Sequence, residues 1–306
     1  MQRYIIMRLL QAILVLVVVS VIAFALGHAG GNPLDAILPD DADAEVRADL
    51  EEFWGINEPL HVQYFTYVGN AVRGDFGHSF KYPRFTVSQL IADRFMATIQ
   101  LAGAGILVAV AIGLPIGVLT ATYRDTVFDW TGKVVALLGQ SLPVFWLGIV
   151  LMWIFAVQLD WFPTSGKGGI KHLILPAVAI GWFQVAAMLR LVRSSMLDVL
   201  DSEYVKLARI KGLPERKIIW KHCLRNAAIA PLTYFAITLG SLMVGSVSIE
   251  TVFQWPGLGF LLFNAARSSD YALLQGIMLT FTTIYITANL LVDIAYAYLD
   301  PRIRYN

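Results

Sequence analysis

Residues 203–226 read EYVKLARIKGLPERKIIWKHCLRN and set seven Lys or Arg between two of the most apolar runs of the chain. Asp201 or Ser202 suits the N-cap of a short helix reaching Lys211, Gly212 suits its C-terminal cap, and Pro214 suits the first turn of a second helix. The stretch is therefore expected to form two short helices joined by a tight turn. Ala208 and Gly212 stand four residues apart, where little bulk lets another backbone come close, while Lys206 and Arg209 project elsewhere.

The surroundings decide the class. The 306 residues are 57% hydrophobic and 15% charged, with a mean hydropathy of +0.64, far from the balance of a soluble domain. Runs long enough to cross a bilayer recur at 9–26, 98–123, 134–159, 173–189, 227–249 and 271–299, with only Asp293 charged inside them. No sustained alternation of polarity supports a transmembrane β-barrel. The expectation is an all-α membrane protein with six transmembrane helices. Arg3 and Arg8 before LLQAILVLVVVSVIAFAL, with Ala23 and Ala25 as an A-x-A site, raise the question of a signal peptide. The apolar run exceeds the usual length of about 7–15 residues, so an uncleaved helix is expected.

Charge sets the orientation, because basic flanks of short loops stay on the cytoplasmic side. With the N-terminus inside, Arg3, Arg8, Arg124, Lys133, Arg190, Arg193, Lys206, Arg209, Lys211, Arg216, Lys217, Lys221, Arg225, Arg302 and Arg304 are inside, 15 of the 23 basic residues. The outer segments hold the other 8 against 14 of the 22 acids, so the formal charge of +1 conceals a strong separation. Both termini of this multi-pass cytoplasmic-membrane protein are expected inside. The organisation is then 1–26 as the cytoplasmic end and first helix, 27–97 as a long external insertion, and 98–306 as a five-helix core containing the loop 198–226. The acidic start of the insertion predicts a helix at about 43–54, capped by an aspartate, in an aqueous lid. Cys223, the one cysteine, is expected inside, so no internal disulfide staples that lid.

Catalytic chemistry is poorly served. No GxxxxGK followed by Ser or Thr occurs, so the chain does not cradle ATP itself. His28, His61, His78, His172 and His222 form no HExxH, His222 adjoins Cys223 without a further Cys or His nearby in sequence, and no metal site is expected. There is no GxSxG, and Asp293 has no second carboxylate at a helical spacing that would suggest an intramembrane protease dyad. A non-catalytic chain is expected, without a cofactor of its own or a nucleic-acid partner; a transport subunit is what the resemblance described next implies.

The cytoplasmic loop resembles that of the membrane permease subunits of ATP-binding-cassette importers. Their pattern is EAA, three residues, Gly, nine residues, then I-x-L-P. Lys206, Leu207 and Ala208 stand where EAA would be, Gly212 matches the glycine, and His222 and Leu224 stand for Ile and Leu. The departures, ARIKG and HCLRN followed by Pro231, resemble the dipeptide, oligopeptide, glutathione and nickel branch. So do RLLQAILVLVVVSVIAF, WGINEPLHVQYFTYVGNAVRGDFGHSF, FPTSG, LILPAVAIG, LRLVRSSMLDVL, VFQWPGLG and NLLVDIAYAYLDPRIRY, in that order along nearly the whole chain.

The resemblance implies a type I importer permease fold and an assembly. Its parts would be a second homologous permease subunit, two ATPase subunits that bind ATP and Mg, and an external substrate-binding protein. This chain would be the first of the permease pair, carrying peptides or a related small solute. Glu203, Lys206, Ala208, Arg209, Lys211 and Gly212 would form the coupling helix that docks on an ATPase. Membrane lipid is the other expected neighbour, since the basic residues obey the positive-inside rule whatever they touch.

Elsewhere the residues give weaker signals. Arg190 and Arg193 are expected to snorkel to the inner interface rather than latch to Asp198 or Asp201. Asp293 is expected to make a structural hydrogen bond to a neighbouring helix. Gln140, Ser141, Gln184, Ser241 and Asn289 are candidates for lining a water-filled path, and each equally suits a bond between helices. The alternative class is an ion-coupled secondary transporter, which needs intramembrane charges or broken helices.

Overall fold

The computed structural model describes residues 2–29, 34, 38, 43–53 and 57–299. Among them every regular element is helical, apart from one isolated antiparallel bridge between His78 and Thr86. The order is α1 (Gln2–Ala29), α2 (Ala44–Phe53), α3 (Leu60–Val72), α4 (Val87–Thr122), α5 (Val127–Ser141) and α6 (Val144–Leu151), which runs on in π-helical turns (Met152–Gln158). Then come α7 (Ile170–Leu200), α8 (Glu203–Ile210), α9 (Glu215–Lys217), a second π-helical stretch (Ile218–Cys223), α10 (Leu224–Ala227), α11 (Ile229–Gly245), α12 (Val247–Val252), α13 (Leu258–Arg267) and α14 (Tyr271–Leu299).

Among the described residues four helices are each long and apolar enough to cross a membrane: Ile5–His28, Val87–Thr122, Ile170–Leu200 and Tyr271–Leu291. The third expected span is a bent pair, because α5 and α6 meet at 106°. Leu142 and Pro143 make the break: both are extended, with ψ of 130° and 132°, as the crowding of a proline on its predecessor favours. The fifth expected span is built from α10, α11 and α12, interrupted only at Ala228 and Ser246. The second begins at Val87 rather than 98 because a capping box starts it. There the Gln89 amide donates to Thr86 Oγ1 at 3.2 Å and the Thr86 amide to Gln89 Oε1 at 3.1 Å.

The chain divides into two compact units, Met1–Thr98 with Pro256–Asn306, and Ile99–Trp255. In the first, α1 lies along α14, and a Cβ on Gly27 would fall 3.6 Å from Cβ of Tyr271. Asp270, fully buried, caps α14 by accepting from the Leu273 amide at 3.2 Å. The same carboxylate accepts from the Ser79 hydroxyl and, at 3.2 Å, from the Lys81 amide, which ties the segment before α4 to the start of α14. The Leu258 amide donates to Thr98 Oγ1 at 2.8 Å.

In the second unit α7 is the axis. Val185, Met188, Val192 and Met196 pack with Ala109 and Val118 of α4 and with Val205, Ile218, Ile219, Cys223 and Ala227 below them. One continuous core therefore runs from the span into the hairpin that follows it. At the other end of α7 the Gly166 amide donates to the Phe253 carbonyl at 2.9 Å and Lys167 lies over the Trp255 ring, so the FPTSG and VFQWPGLG stretches meet.

Candidate functional site

Sequence chemistry dictates the hairpin step by step. Ser202 occupies the N-cap of α8, but its hydroxyl donates back to the Val199 carbonyl, and the Val205 and Lys206 amides bond to its backbone carbonyl instead. Asp201 is the C-cap of α7. At the other end Gly212 takes φ +73°, the left-handed conformation glycine adopts without steric cost. Its amide donates to Arg209 O at 2.9 Å and the Leu213 amide to Ala208 O at 3.2 Å, the paired bonds of a Schellman motif. Pro214 is the N-cap of α9, one position ahead of the expected first turn.

Ion pairs then fix the two arms. Arg209 grips Glu215 across the turn at 2.8 Å, Lys206 meets Glu203 at 2.8 Å, and Asn226 donates to the Tyr204 hydroxyl at 2.8 Å. Glu215 beside it raises the Arg209 guanidinium further above its ordinary pKa. Burial in the apolar core pushes the Cys223 thiol up, the direction that disfavours the thiolate.

The two faces of the hairpin differ. Val205, Ile218 and Cys223 are fully buried, and Ala208 and Leu213 pack against the same core. Ala208 therefore faces inward, while Gly212 sits in open space at the turn. The outer face carries Leu207 and Ile210, 56% and 80% exposed, with Tyr204, Trp220 and Lys211 also exposed. Pro214, Arg216, Lys217, Trp220 and Lys221 line an open groove beside it. Among the described residues no ion pair involves Arg216, Lys217 or Lys221.

The path candidates scatter. Gly139 on α5 approaches α7 so closely that a Cβ there would lie 2.8 Å from Ala186 Cβ, which puts Gln140 and Ser141 level with Gln184. Gln184 is buried, and its Oε1 has no hydrogen-bond partner among the described residues. Gln140 is half-buried, whereas exposed Ser141 donates to the Leu137 carbonyl. Asn289 is half-buried on α14, in the other unit. The side chains of Ser241 and Asp293 lie outside the described residues.

Arg193 does not snorkel, nor does it latch to Asp198 or Asp201. Its Nε and Nη2 donate to the two carboxylate oxygens of Asp129 at 2.7 and 2.9 Å, and Lys133 meets the same carboxylate at 2.9 Å. Asp129 is fully buried and Arg193 is 20% exposed, so this is a desolvated clasp between the first turn of α5 and α7. Sequence reading missed it, although an Asp and Lys four apart at the start of an apolar helix were a usable sign. It also missed buried Asp270 and buried Glu250, which accepts from the Ser246 hydroxyl at 2.8 Å. Among the described residues no three His, Cys, Asp or Glu side chains group to hold a metal ion.

Two family models match: the binding-protein-dependent transport system inner membrane component over residues 113–305, and the N-terminal part of such membrane components over residues 1–102. Among curated proteins the chain is 40% identical over 306 residues to the glutathione transport system permease protein GsiC of Salmonella choleraesuis, covering 100% of both. The same identity and coverage hold for GsiC of Escherichia coli strain K12. The dipeptide transport system permease protein DppB of Alkalihalophilus pseudofirmus is 36% identical, again over 100% of both chains. Among solved structures, an inward-facing MetNI methionine ABC transporter matches with a TM-score of 0.57 at 17% identity, covering 69% of this chain and 97% of that one.

Proposed function

Since this chain belongs to the family of binding-protein-dependent transport system inner membrane components, we propose that it is a permease moving glutathione or another short peptide, driven by ATP hydrolysis in partner subunits. It is an inner-membrane, multi-pass protein with the helical fold of an ABC importer permease. The solute class rests on full-length likeness to permeases named for glutathione and for dipeptides. Both solutes are small peptides with free carboxylates. Neutral amides such as Gln140 and Gln184 both donate and accept hydrogen bonds, which suits weak, undemanding contacts along a path, with selection left to an external binding protein.

The partners follow from the same reading: a second permease subunit, two ATPase subunits holding ATP and Mg, and the binding protein. The termini and the hairpin at 198–226 would face the cytoplasm, in keeping with the distribution of Lys and Arg. ATPase closure would draw the hairpins of the two permeases together and open the path outward; hydrolysis would reset it.

The observation that carries this is the hairpin itself. It continues the core of α7 without a break, and it exposes Leu207 and Ile210 where the chain's own packing has no use for them. Glu203, Lys206, Arg209 and Lys211 would surround that contact. Gly212 would shape it through its turn, and Ala208 would seat it on the core.

Ile210→Asp tests the reading. It leaves every buried contact in place, so insertion and thermal stability are expected to stay unchanged. Co-purification of the ATPases from detergent extracts is expected to fall at least about tenfold, a loss of ~1.4 kcal/mol typical of an interface anchor. Full recovery of the ATPases with that variant would sink the docking assignment.

A further inference from the structure

The segment 27–97 reads as an aqueous external insertion, yet α3 within it contains no Asp, Glu, Lys or Arg over its 13 residues. Charges resume only at its ends, with Glu58 before it and Arg73 after it. None of its residues is buried, and Phe65 and Val72 are 70% and 83% exposed. A helix that shows a bare phenylalanine and valine to water costs free energy without return, since apolar area in contact with water is what folding removes.

Its depth is fixed by its neighbours. The Tyr64 hydroxyl and Ser20 Oγ lie 2.9 Å apart, and Gln63 Oε1 lies 2.9 Å from His28 Nε2. The Phe24 ring meets those of Tyr64 and Tyr67 with centroids 5.4 and 6.0 Å apart. All three α1 partners lie inside the apolar span Ile5–His28. At the α-helical rise of about 1.5 Å per residue, Phe24 is ~6 Å and Ser20 ~12 Å inward of His28. A second span marks the same boundary. The Gly27 position lies against Tyr271 and Gln275, in the first turns of the span Tyr271–Leu291. The apolar stretches of α1 and α14 therefore end at about the same level, and α3 packs beside the last turns of the apolar stretch of α1.

The pattern around α3 agrees with that position. Gln63, Tyr64, Tyr67, Val68 and Ala71 are its half-buried residues. On one flank of that face Phe65 and Val72 fall a heptad apart with Val68 between them, an apolar stripe. On the other flank Thr66 and Asn70 fall four apart, both exposed. Tyr64 and Tyr67 supply the amphipathic rings enriched at membrane–water boundaries.

We propose that α3 is an interfacial helix embedded in the leaflet at the C-terminal end of α1, with phospholipid acyl chains covering Phe65, Val68 and Val72 and water meeting Thr66 and Asn70. Charge-free composition, apolar stripe and register against two spans favour lipid over a protein partner. The inference needs only that the chain spans a membrane and is independent of the solute carried.

Single cysteines at Phe65→Cys, Val72→Cys, Thr66→Cys and Asn70→Cys, in a Cys223→Ala chain, test it by spin labelling. The purified complex with its co-purifying partners is placed in lipid nanodiscs, and nitroxide relaxation by oxygen is compared with that by a water-soluble nickel chelate. All four positions are exposed, so labelling is compatible with folding. The ratio of oxygen to chelate accessibility is expected to be several-fold higher at 65 and 72 than at 66 and 70, as lipid burial requires. Equal chelate access at all four would overturn the proposal in favour of an aqueous lid. Low access to both reagents at 65 and 72 would overturn it in favour of a protein cover. In the unsubstituted complex, a photoactivatable phospholipid is expected to cross-link α3, and absence of that adduct counts against lipid contact.

Discussion

Asp129→Ala is expected to lower the stability of the detergent-solubilised chain by about 3–5 kcal/mol, the cost of leaving a buried cation without its counter-charge. The wild-type carboxylate is fully buried and bidentate to Arg193, with Lys133 as a third partner. Removing it strands a guanidinium only 20% exposed, whereas the Lys133 ammonium, 43% exposed, retains solvent. The loss therefore falls on Arg193. The clasp also sits in the first turn of α5, where a negative charge complements the helix dipole, a smaller contribution of about 0.3–1 kcal/mol.

The double variant Asp129→Leu with Arg193→Met separates attraction from stranding. Replacing both charges with apolar groups of similar volume is expected to recover most of the loss, because a buried pair itself contributes little once its desolvation is counted. Thermal unfolding midpoints of the wild type, Asp129→Leu, Arg193→Met and the double variant measure this. An unchanged midpoint for Asp129→Ala would mean that Arg193 finds another partner or reaches water. Under the ATP-driven transport proposed above, α7 carries the hairpin and Asp129 ties α5 to α7, so uptake per ATP hydrolysed is also expected to fall in Asp129→Asn, which keeps the volume but loses the charge.

What the sequence could convey depended on how local the deciding physics is. Apolar runs mark spans because the bilayer imposes length and composition on any segment that crosses it. The hairpin was legible too: a glycine forced to positive φ and a proline without an amide hydrogen leave few alternatives to a turn at 212–214. The broken third span was only half legible. Pro115 and Pro176 lie inside continuous α4 and α7, while Pro143 ends α5 with a 106° bend, so a proline alone does not say which outcome tertiary packing selects. Arg193 and Asp129 are separated by 64 positions, and only the packing of α5 on α7 brings them together. Ala208, expected within the docking helix, packs partly against the hairpin's own core, and small residues suit a docking face and a core seat equally well. The apolar, charge-free α3 was hidden by its place in a segment whose start is strongly acidic.

The other large effect is expected at Gly181. Gly105, Ala109, Gly113 and Gly117 recur every four residues along α4, the small-residue spacing that lets membrane helices pack backbone to backbone. A Cβ added at Gly113 would lie 2.8 Å from the Val185 carbonyl oxygen, and one at Gly117 would lie 2.9 Å from that of Leu189. Gly181 of α7 meets this seam: its Cβ would fall 2.6 Å from the carbonyl oxygen of Gly105. That obstacle is backbone, so no rotamer change relieves it. Gly181→Ala is expected to cost ~1–3 kcal/mol by overpacking, and Gly181→Val more, seen as lower unfolding midpoints and less chain recovered from membranes. Gly103→Ala is the internal control. It lies on α4, the other helix of the seam, with nothing within 4 Å of the added carbon, so it is expected to be neutral or to stabilise by up to about 1 kcal/mol through helix propensity. If the alanines at 103 and 181 behaved alike, close approach of α4 and α7 would not be what holds this unit together, and the route from span to hairpin would need another support.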